Sequence, residues 1–442
     1  MSPTKVVAFY LPQFHPVAEN DALWGAGFTE WTNVVRARPL FDGHEQPHLP
    51  GALGFYDLRV PEVREQQAAM AARHGIDGFM YYHYWFGGRR VLDRVFREVL
   101  ESGRPDLPFC LCWANENWTR IWDGSEDAVL LEQIHDDDEQ AAHIAELVEA
   151  FADPRYLKVH DDRPLFAVYR VQSLPDARQF IAELREACAA AGLADPYIVK
   201  FDTRGHEDDP ALAGCDAAAQ FPPHGTGDFP RVDTGSLPGG SPGDVVLEYD
   251  DVVAGFLRQP APSWTRHETV VPGWDNAARR GGDGATIVRG STPEAYERWL
   301  REVLDRAPGR GGVVFVNAWN EWAEGAHLEP DERWGDAYLR ATARAVLGHE
   351  PDEPTASDHE LPPAPGAIPA PASTEALYLD VYERYVQAQR RLTSVEATIR
   401  REVGRRNAQL EAEVAEERAR ADALAAQLVA VLDRLEARTP ER

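Results

Sequence analysis

Glu321 and Glu324 stand three residues apart in the run Asn317-Ala-Trp-Asn-Glu-Trp-Ala-Glu-Gly325. If the chain coils into a helical turn there, the two side chains start roughly 5–6 Å apart at Cβ. At that separation one carboxyl can protonate a leaving oxygen while the other serves as base or nucleophile, and a single sugar ring fits between them. Trp319, Asn320 and Trp322 are interleaved with the pair, and His327 and Glu329 follow. The plain alternative is two solvated loop glutamates, which leaves the neighbouring tryptophans without a reason. Indole faces stack on the apolar faces of sugar rings, although tryptophan is also ordinary core material.

Other stretches carry the same mixture of faces, amides and charges. Trp113-Ala-Asn-Glu-Asn-Trp-Thr-Arg120 offers Trp113 and Trp118 as faces, Asn115 and Glu116 as hydrogen-bonding groups, and Arg120 as a fixed positive fork. A structural pairing of Arg120 with Glu116 or Asp123 competes with that reading. Tyr82-His-Tyr-Trp85 ends another apolar run, and a lone His83 there is equally a hydrogen-bonded core residue. Trp274-Asp-Asn276, with Arg279 and Arg280 behind it, repeats the pattern. His135-Asp-Asp-Asp138 contains an acid pair, Asp136 and Asp138, of the kind that holds a divalent cation in nucleotide-sugar transferases. It also precedes a helical pattern, so Asp138 reads as an N-cap with acids favouring the positive end of the dipole. No glycine-rich phosphate loop is present, so the sequence calls for no metal and no cofactor.

What must position these groups is a set of buried strands. Val313–Val316 is β-branched and apolar on both faces, then turns polar at once, as a strand ending at a catalytic rim does. Seven similar runs precede it: Val6–Leu11, Gly78–Phe86, Pro108–Trp118, Pro164–Arg170, Tyr197–Phe201, Ala217–Phe221 and Glu268–Pro272. Helical patterns lie between them at Val60–His74, Leu92–Ser102, Glu139–Ala152, Asp176–Ala191 and Pro293–Ala307, with a last one at Leu339–Leu347. Alternating strand and helix predicts a parallel sheet, and eight units predict an α/β fold of the (β/α)8 TIM-barrel type; an open doubly wound sheet is the alternative. Two irregular insertions, Glu19–Gly54 and Pro222–Gly243, are long enough to build rim loops.

Past the barrel the composition changes. Residues 1–349 form the expected catalytic domain. Residues 350–375 hold seven prolines and no aromatic residue, so they read as an extended linker. Residues 376–442 are rich in Ala, Glu and Arg, with apolar residues spaced by threes and fours from Leu392 to Leu435. That spacing predicts a long helix and a coiled coil through which the chain meets a second copy or a partner protein.

A net charge of −28 argues against nucleic acid and anionic membrane as direct partners. No apolar run reaches the ~18 residues of a membrane span. Lys5–Pro12 leads straight into a core strand without a basic segment and h-region, and the expectation is a cytoplasmic protein. Four irregularly spaced cysteines fit neither a disulfide framework nor a zinc site.

The motifs Tyr10-Leu-Pro-Gln-Phe-His-Pro16, Gly27-Phe-Thr-Glu-Trp-Thr-Asn33, Gly54-Phe-Tyr-Asp-Leu-Arg59, Tyr81-Tyr-His-Tyr-Trp-Phe86, Cys112–Arg120, Pro272–Asn276 and Asn317–Gly325 resemble the WbsX group. Its members are described as glycosyltransferases or as similar to glycoside hydrolase family 99, and they occur among bacterial surface-polysaccharide genes. The resemblance spans roughly residues 5–345. It implies a (β/α)8 barrel, retention of anomeric configuration and an oligo- or polysaccharide substrate. It also implies that Glu321 acts as base on the substrate's own 2-hydroxyl, giving a 1,2-anhydro sugar, while Glu324 protonates the leaving oxygen and then activates water. Glu324 should then hold its proton near neutral pH, through burial or the charge of Glu321.

The expected sugar-contacting set is Tyr10, Glu30, Trp31, Tyr82, His83, Trp85, Trp113, Asn115, Glu116, Trp118, Arg120, Trp274, Asp275, Asn276, Trp319, Asn320 and Trp322. Two further classes compete: a metal-dependent nucleotide-sugar transferase using Asp136 and Asp138, and a glycan-binding scaffold without turnover.

Overall fold

The structure is a computed structural model. It describes residues 4–351 apart from 121–124, 132–136, 204, 281–283 and 308–311; for 118–120, 125–131 and 137–138 it describes the backbone alone. The expected linker beyond residue 351 and the whole expected helical tail lie outside the described residues.

Eight strands make the central sheet: β1 (Lys5–Tyr10), β2 (Gly78–Phe86), β3 (Phe109–Trp113), β4 (Arg163–Val168), β5 (Tyr197–Asp202), β6 (Ala217–Gln220), β7 (Arg266–His267 and Thr269–Val270) and β8 (Val313–Val316). Each pairs in parallel with the next, and β8 pairs with both β1 and the second half of β7. The first half of β7 pairs with β6. The ladder thus runs round to the two halves of one strand, interrupted at Glu268, in a near-closed parallel barrel of the TIM type. Apolar β-branched and aromatic residues form these strands because both faces are covered, one by the lumen and one by helices. The expected strands match closely, and β7 starts two residues earlier than its apolar run suggests.

Alternation decides which side chains fill the lumen. Phe9 points inward and meets Phe201, Phe221 and Phe315 at ring-centroid distances of 5.2, 5.3 and 5.9 Å. Such aromatic pairs add ~0.5–1.5 kcal/mol each beyond burial. They make a packed floor beneath the strands' C-terminal ends.

The helices α3 (Pro61–Arg73), α4 (Arg94–Ser102), α5 (Asp137–Phe151), α6 (Ala177–Ala190), α7 (Tyr249–Arg258), α9 (Pro293–Arg306) and α10 (Ala337–Val346) belong to the outer layer. Three short helices lie near the rim or in the insertions: α1 (Ala18–Trp24), α2 (Glu30–Arg36) and α8 (Ala277–Arg280). The Glu19–Gly54 insertion is therefore partly helical, and α7 is an element the sequence pattern did not announce. The chain starts α5 at Asp137, so Asp138 falls inside the first turn and not at the cap. A small second sheet, Val245–Glu248 against Thr286–Arg289 against Trp274–Asp275, stands over the β7 side of the mouth.

Candidate active site

The stretch after β8 forms a tight hairpin. Asn320–Glu321 pairs antiparallel with Ala326–His327, and a 3-10 turn, Trp322–Glu324, makes the tip. Gly325 closes it in the left-handed region at φ 60°. A Cβ there would also lie 3.0 Å from Asp275, so both conformation and space require glycine. The hairpin is pinned to β1 by Asn320, whose Oδ1 accepts from the Leu11 amide at 2.7 Å and whose Nδ2 donates to the Leu11 carbonyl at 3.0 Å. Buried Glu329 accepts from Trp322 Nε1 at 2.7 Å, Tyr56 Oη at 2.8 Å and Gln67 Nε2 at 2.6 Å. Burial nevertheless pushes its carboxyl up to about 7. The turn carrying Glu321 and Glu324 is thus fixed from below.

Across from the turn lies Arg279 in α8. Its guanidinium donates to Glu324 Oε1 at 2.5 Å, Glu321 Oε2 at 2.7 Å and Glu30 Oε2 at 3.3 Å. Both glutamates of the spaced pair therefore grip one planar group, a bidentate geometry only arginine provides. Glu30 reaches it from the first turn of α2, whose start is set by a capping box between Thr29 and Thr32. Asp275 and Asn276 hold α8 in place: Asp275 Oδ1 accepts from Ala277 N at 2.9 Å and Asn276 Oδ1 from Thr286 N at 2.8 Å.

Three carboxylates share one buried cation, so the cluster is short of positive charge. Burial pushes the Glu321 carboxyl up to about 8, with Arg279 opposing and the charges of Glu324 and Glu30 assisting. Burial likewise raises Glu324, again against Arg279. The rise expected for Glu324 therefore falls on both members, and the cluster retains a proton near neutral pH. The Glu324 side chain is 20% exposed against 5% for Glu321, so Glu324 is the more open of the two.

Tyr82 and Tyr84 of β2 also face this corner. Tyr82 stacks on Phe9 at 5.5 Å, and Tyr84 accepts from Gln13 Nε2 at 3.0 Å. Burial, then the Glu321 charge, raises both phenols. Arg279, Tyr84 and Gln13 were outside the expected set. Strand parity was the available signal for Tyr84, since it shares a face with Tyr82.

The same parity turns other expected residues away. Tyr10 follows inward Phe9 and so points outward, donating to Gln67 Oε1 of α3 at 2.7 Å. His83 meets His143 of α5 at 3.0 Å between ring nitrogens, and Trp85 stacks on His143 at 5.0 Å. Trp113 packs on His143 and Phe180 at 4.4 and 5.1 Å. Asn115 clamps the Arg170 backbone, with bonds of 2.7 and 2.8 Å to its carbonyl and amide, and Glu116 takes the Arg170 guanidinium at 2.6 Å. Trp31 donates to the Tyr56 carbonyl and packs against Trp322, while Trp319 is fully buried against Phe79. Trp274 is buried, and Asp275 Oδ2 accepts from His44 and Gln46 at 2.6 Å each. The Trp118 and Arg120 side chains and Asp136 lie outside the described residues. Among the described residues no group of three or more His, Cys, Asp or Glu is arranged to hold a metal ion.

The family model described as Glycosyltransferase WbsX matches residues 6–342, and this settles the family. The chain belongs to the WbsX glycosyltransferase family. Two relatives from Xanthomonas campestris pv. campestris, strains ATCC 33913 and B100, both named "Uncharacterized protein WxcX", are each 43% identical over 358 residues. The match covers 80% of this WbsX-family chain and 51% of theirs, so the chain spans about half the length of these curated relatives. Among solved structures, a glycoside hydrolase-like protein aligns with TM-score 0.49 at 12% identity, covering 78% of this chain and 94% of its own. A GH99 endo-alpha-mannosidase from Bacteroides thetaiotaomicron aligns with TM-score 0.47 at 15% identity, covering 78% and 96%.

Proposed function

We propose that this chain is a carbohydrate-active enzyme that cleaves or transfers a glycosidic bond of a bacterial surface polysaccharide or its precursor. The observation that carries the reading is the Arg279 clamp, which brings Glu321 and Glu324 together at the barrel mouth. In the state that reacts, the proton the pair retains sits on Glu324; Glu321, the more buried, then takes the proton of the sugar's 2-hydroxyl, and that oxygen closes on the anomeric carbon as the glycosidic bond breaks. Glu324, the more open, gives its proton to the leaving oxygen. It then deprotonates water or an acceptor hydroxyl, which opens the 1,2-anhydro ring while Glu321 returns its proton to O2. Two displacements retain configuration. Arg279 holds the pair in register, and among the expected residues we read Tyr82 and Glu30, which border this corner, as those that touch substrate. No membrane-spanning helix occurs among the described residues. Four free, buried cysteines support a reducing, cytoplasmic setting. The tail beyond residue 375 is read as the coiled coil through which copies or partners assemble.

The test is a panel of α-linked glycosyl fluorides with and without oligosaccharide acceptors. Turnover that vanishes in Glu321→Ala is the expected result, and acceptor products decide transfer over hydrolysis. Turnover confined to nucleotide sugars plus a divalent cation would replace this reading with the metal-dependent transferase. Sugar affinity unchanged by loss of both glutamates, with no turnover, would replace it with the scaffold.

A further inference from the structure

Behind the turn that carries Glu321 and Glu324 lies a cavity of about 260 Å³. Gly325, the residue after Glu324, forms part of its wall, together with Asp275, His327 and the second sheet. Neither Glu321 nor Glu324 lines it. Its volume falls just under the roughly 300–1,000 Å³ of pockets that enclose drug-sized ligands. One ring fits, and a nucleotide sugar does not.

The lining excludes charged ligands. Glu248 is paired with Arg289 at 2.5 Å, Asp275 is held by His44 and Gln46, Glu45 is paired with Arg333, and Asp331 Oδ1 accepts from the Trp334 amide at 2.5 Å. These carboxylates outnumber the single guanidinium of the wall, which disfavours phosphate. Each is already partnered, which leaves a cation little to gain. Hydrogen bonds set the histidine tautomers. His327 Nδ1 donates to the Glu329 carbonyl at 3.1 Å, so its Nε2 accepts from His48 Nδ1 at 3.1 Å. That tautomer leaves His48 Nε2 as an acceptor without a protein partner among the described residues. Burial keeps both rings neutral. Trp274 and Trp334 add aromatic surface to the wall. Aromatic surface beside neutral acceptors and paired charges is chemistry for an uncharged, polyhydroxylated ring.

We infer that the cavity between the β8 hairpin and the second sheet is a sugar-binding site that holds one uncharged monosaccharide unit. It rests on the reading of the chain as a glycan-processing enzyme, and it adds a place for a unit other than the one being cleaved. Two sources share this chemistry, a free monosaccharide and a unit of the polymer, and chain length separates them.

The experiment titrates the protein with methyl glycosides of neutral hexoses, 6-deoxyhexoses and N-acetylhexosamines, and with their oligosaccharides, while following tryptophan indole NMR signals. Inorganic phosphate and uridine diphosphate are the controls. The expected result is saturable perturbation of the Trp274 and Trp334 indoles by at least one neutral glycoside. Affinity should fall about tenfold or more in Trp334→Ala. Arg289→Ala, at a half-exposed position, serves as the second variant should Trp334→Ala not fold. Turnover of a single-ring glycosyl fluoride should stay unchanged in both. Tighter binding of oligosaccharides than of methyl glycosides assigns the site to the polymer, and equal binding to a free sugar. Affinity unaffected by both variants, indoles unmoved by every glycoside, or tighter binding of phosphate or nucleotide overturns the inference. Failure of glycosyl fluoride turnover in wild type, with binding intact, counts against the catalytic reading alone.

Discussion

The ends of β2 and β3 and the corner formed by the β8 hairpin with α2 and α8 are built from the same residue types, yet they do different things. At β2 and β3, His83 and Trp85 stack on His143, Trp113 meets it edge-on, and the two imidazoles share a hydrogen bond with no net charge of their own to accommodate. Burial pushes His83 down to about 4, so it stays neutral and serves packing. At the other corner, three acidic side chains crowd the Arg279 guanidinium, more than its single charge balances. Tryptophan, histidine and asparagine in a motif therefore say little about chemistry by themselves. The unbalanced charge marks the site, because a fold tolerates it only where something is gained in return.

The sharpest way to break this comparison is to remove each carboxylate in turn. Glu321→Ala or Glu324→Ala should lower turnover of an oligosaccharide substrate ~10²–10⁴-fold, as expected for loss of an acid–base group. Calorimetry should show unfolding temperatures equal to or above wild type, because the cluster loses one of three buried carboxyls crowded on a single guanidinium. A large loss of stability instead would make the pair structural. Arg279→Met should act oppositely, costing ~3–5 kcal/mol by leaving buried carboxylates unpaired, measured by denaturant unfolding. His83→Leu should cost ~1–3 kcal/mol through loss of its buried hydrogen bond to His143 while kcat of the folded protein holds. A kcat that falls with His83 would mean the β2 end belongs to the site.

The smallest effect concerns pH. Glu321 keeps in the folded state a proton that the unfolded chain releases near the ordinary glutamate value of 4.5. Its stabilising contribution is therefore complete below that value and lost as pH rises through about 8. Between pH 6.5 and 8, above the ordinary histidine value, wild-type stability should decline by up to about 1.4 kcal/mol per pH unit for this proton. Glu321→Gln should flatten that decline. An equal slope in the variant would place the retained proton elsewhere.

The barrel was legible because its strands are buried on both faces, and an apolar β-branched run such as Val313–Val316 suits a fully covered strand better than any solvated element. The pair Glu321 and Glu324 was legible from spacing. Direction was not: alternation says which residues share a face but not which face is the lumen, so His83 and Trp113, paired with each other in the ladder, looked as available as Tyr82. Tyr84 was recoverable by parity once Tyr82 was placed inward. Arg279 was visible only as one arginine after an Asp-Asn step. Its approach to Glu321 depends on the second sheet and on a contact with Glu30, 249 residues away in sequence. Helix α7 escaped because Tyr249-Asp-Asp-Val-Val-Ala-Gly-Phe-Leu-Arg258 is short and carries a mid-helix glycine.

The most direct measurement compares one substrate with a good leaving group and one with a poor one. Turnover of an α-glycosyl fluoride and of an oligosaccharide of the same sugar is followed in Glu321→Gln and Glu324→Gln. Fluoride leaves with little acid assistance. Glu324→Gln should therefore retain fluoride release and lose oligosaccharide cleavage, while Glu321→Gln loses both. Equal retention of both activities in either variant would contradict the division of roles between the two glutamates.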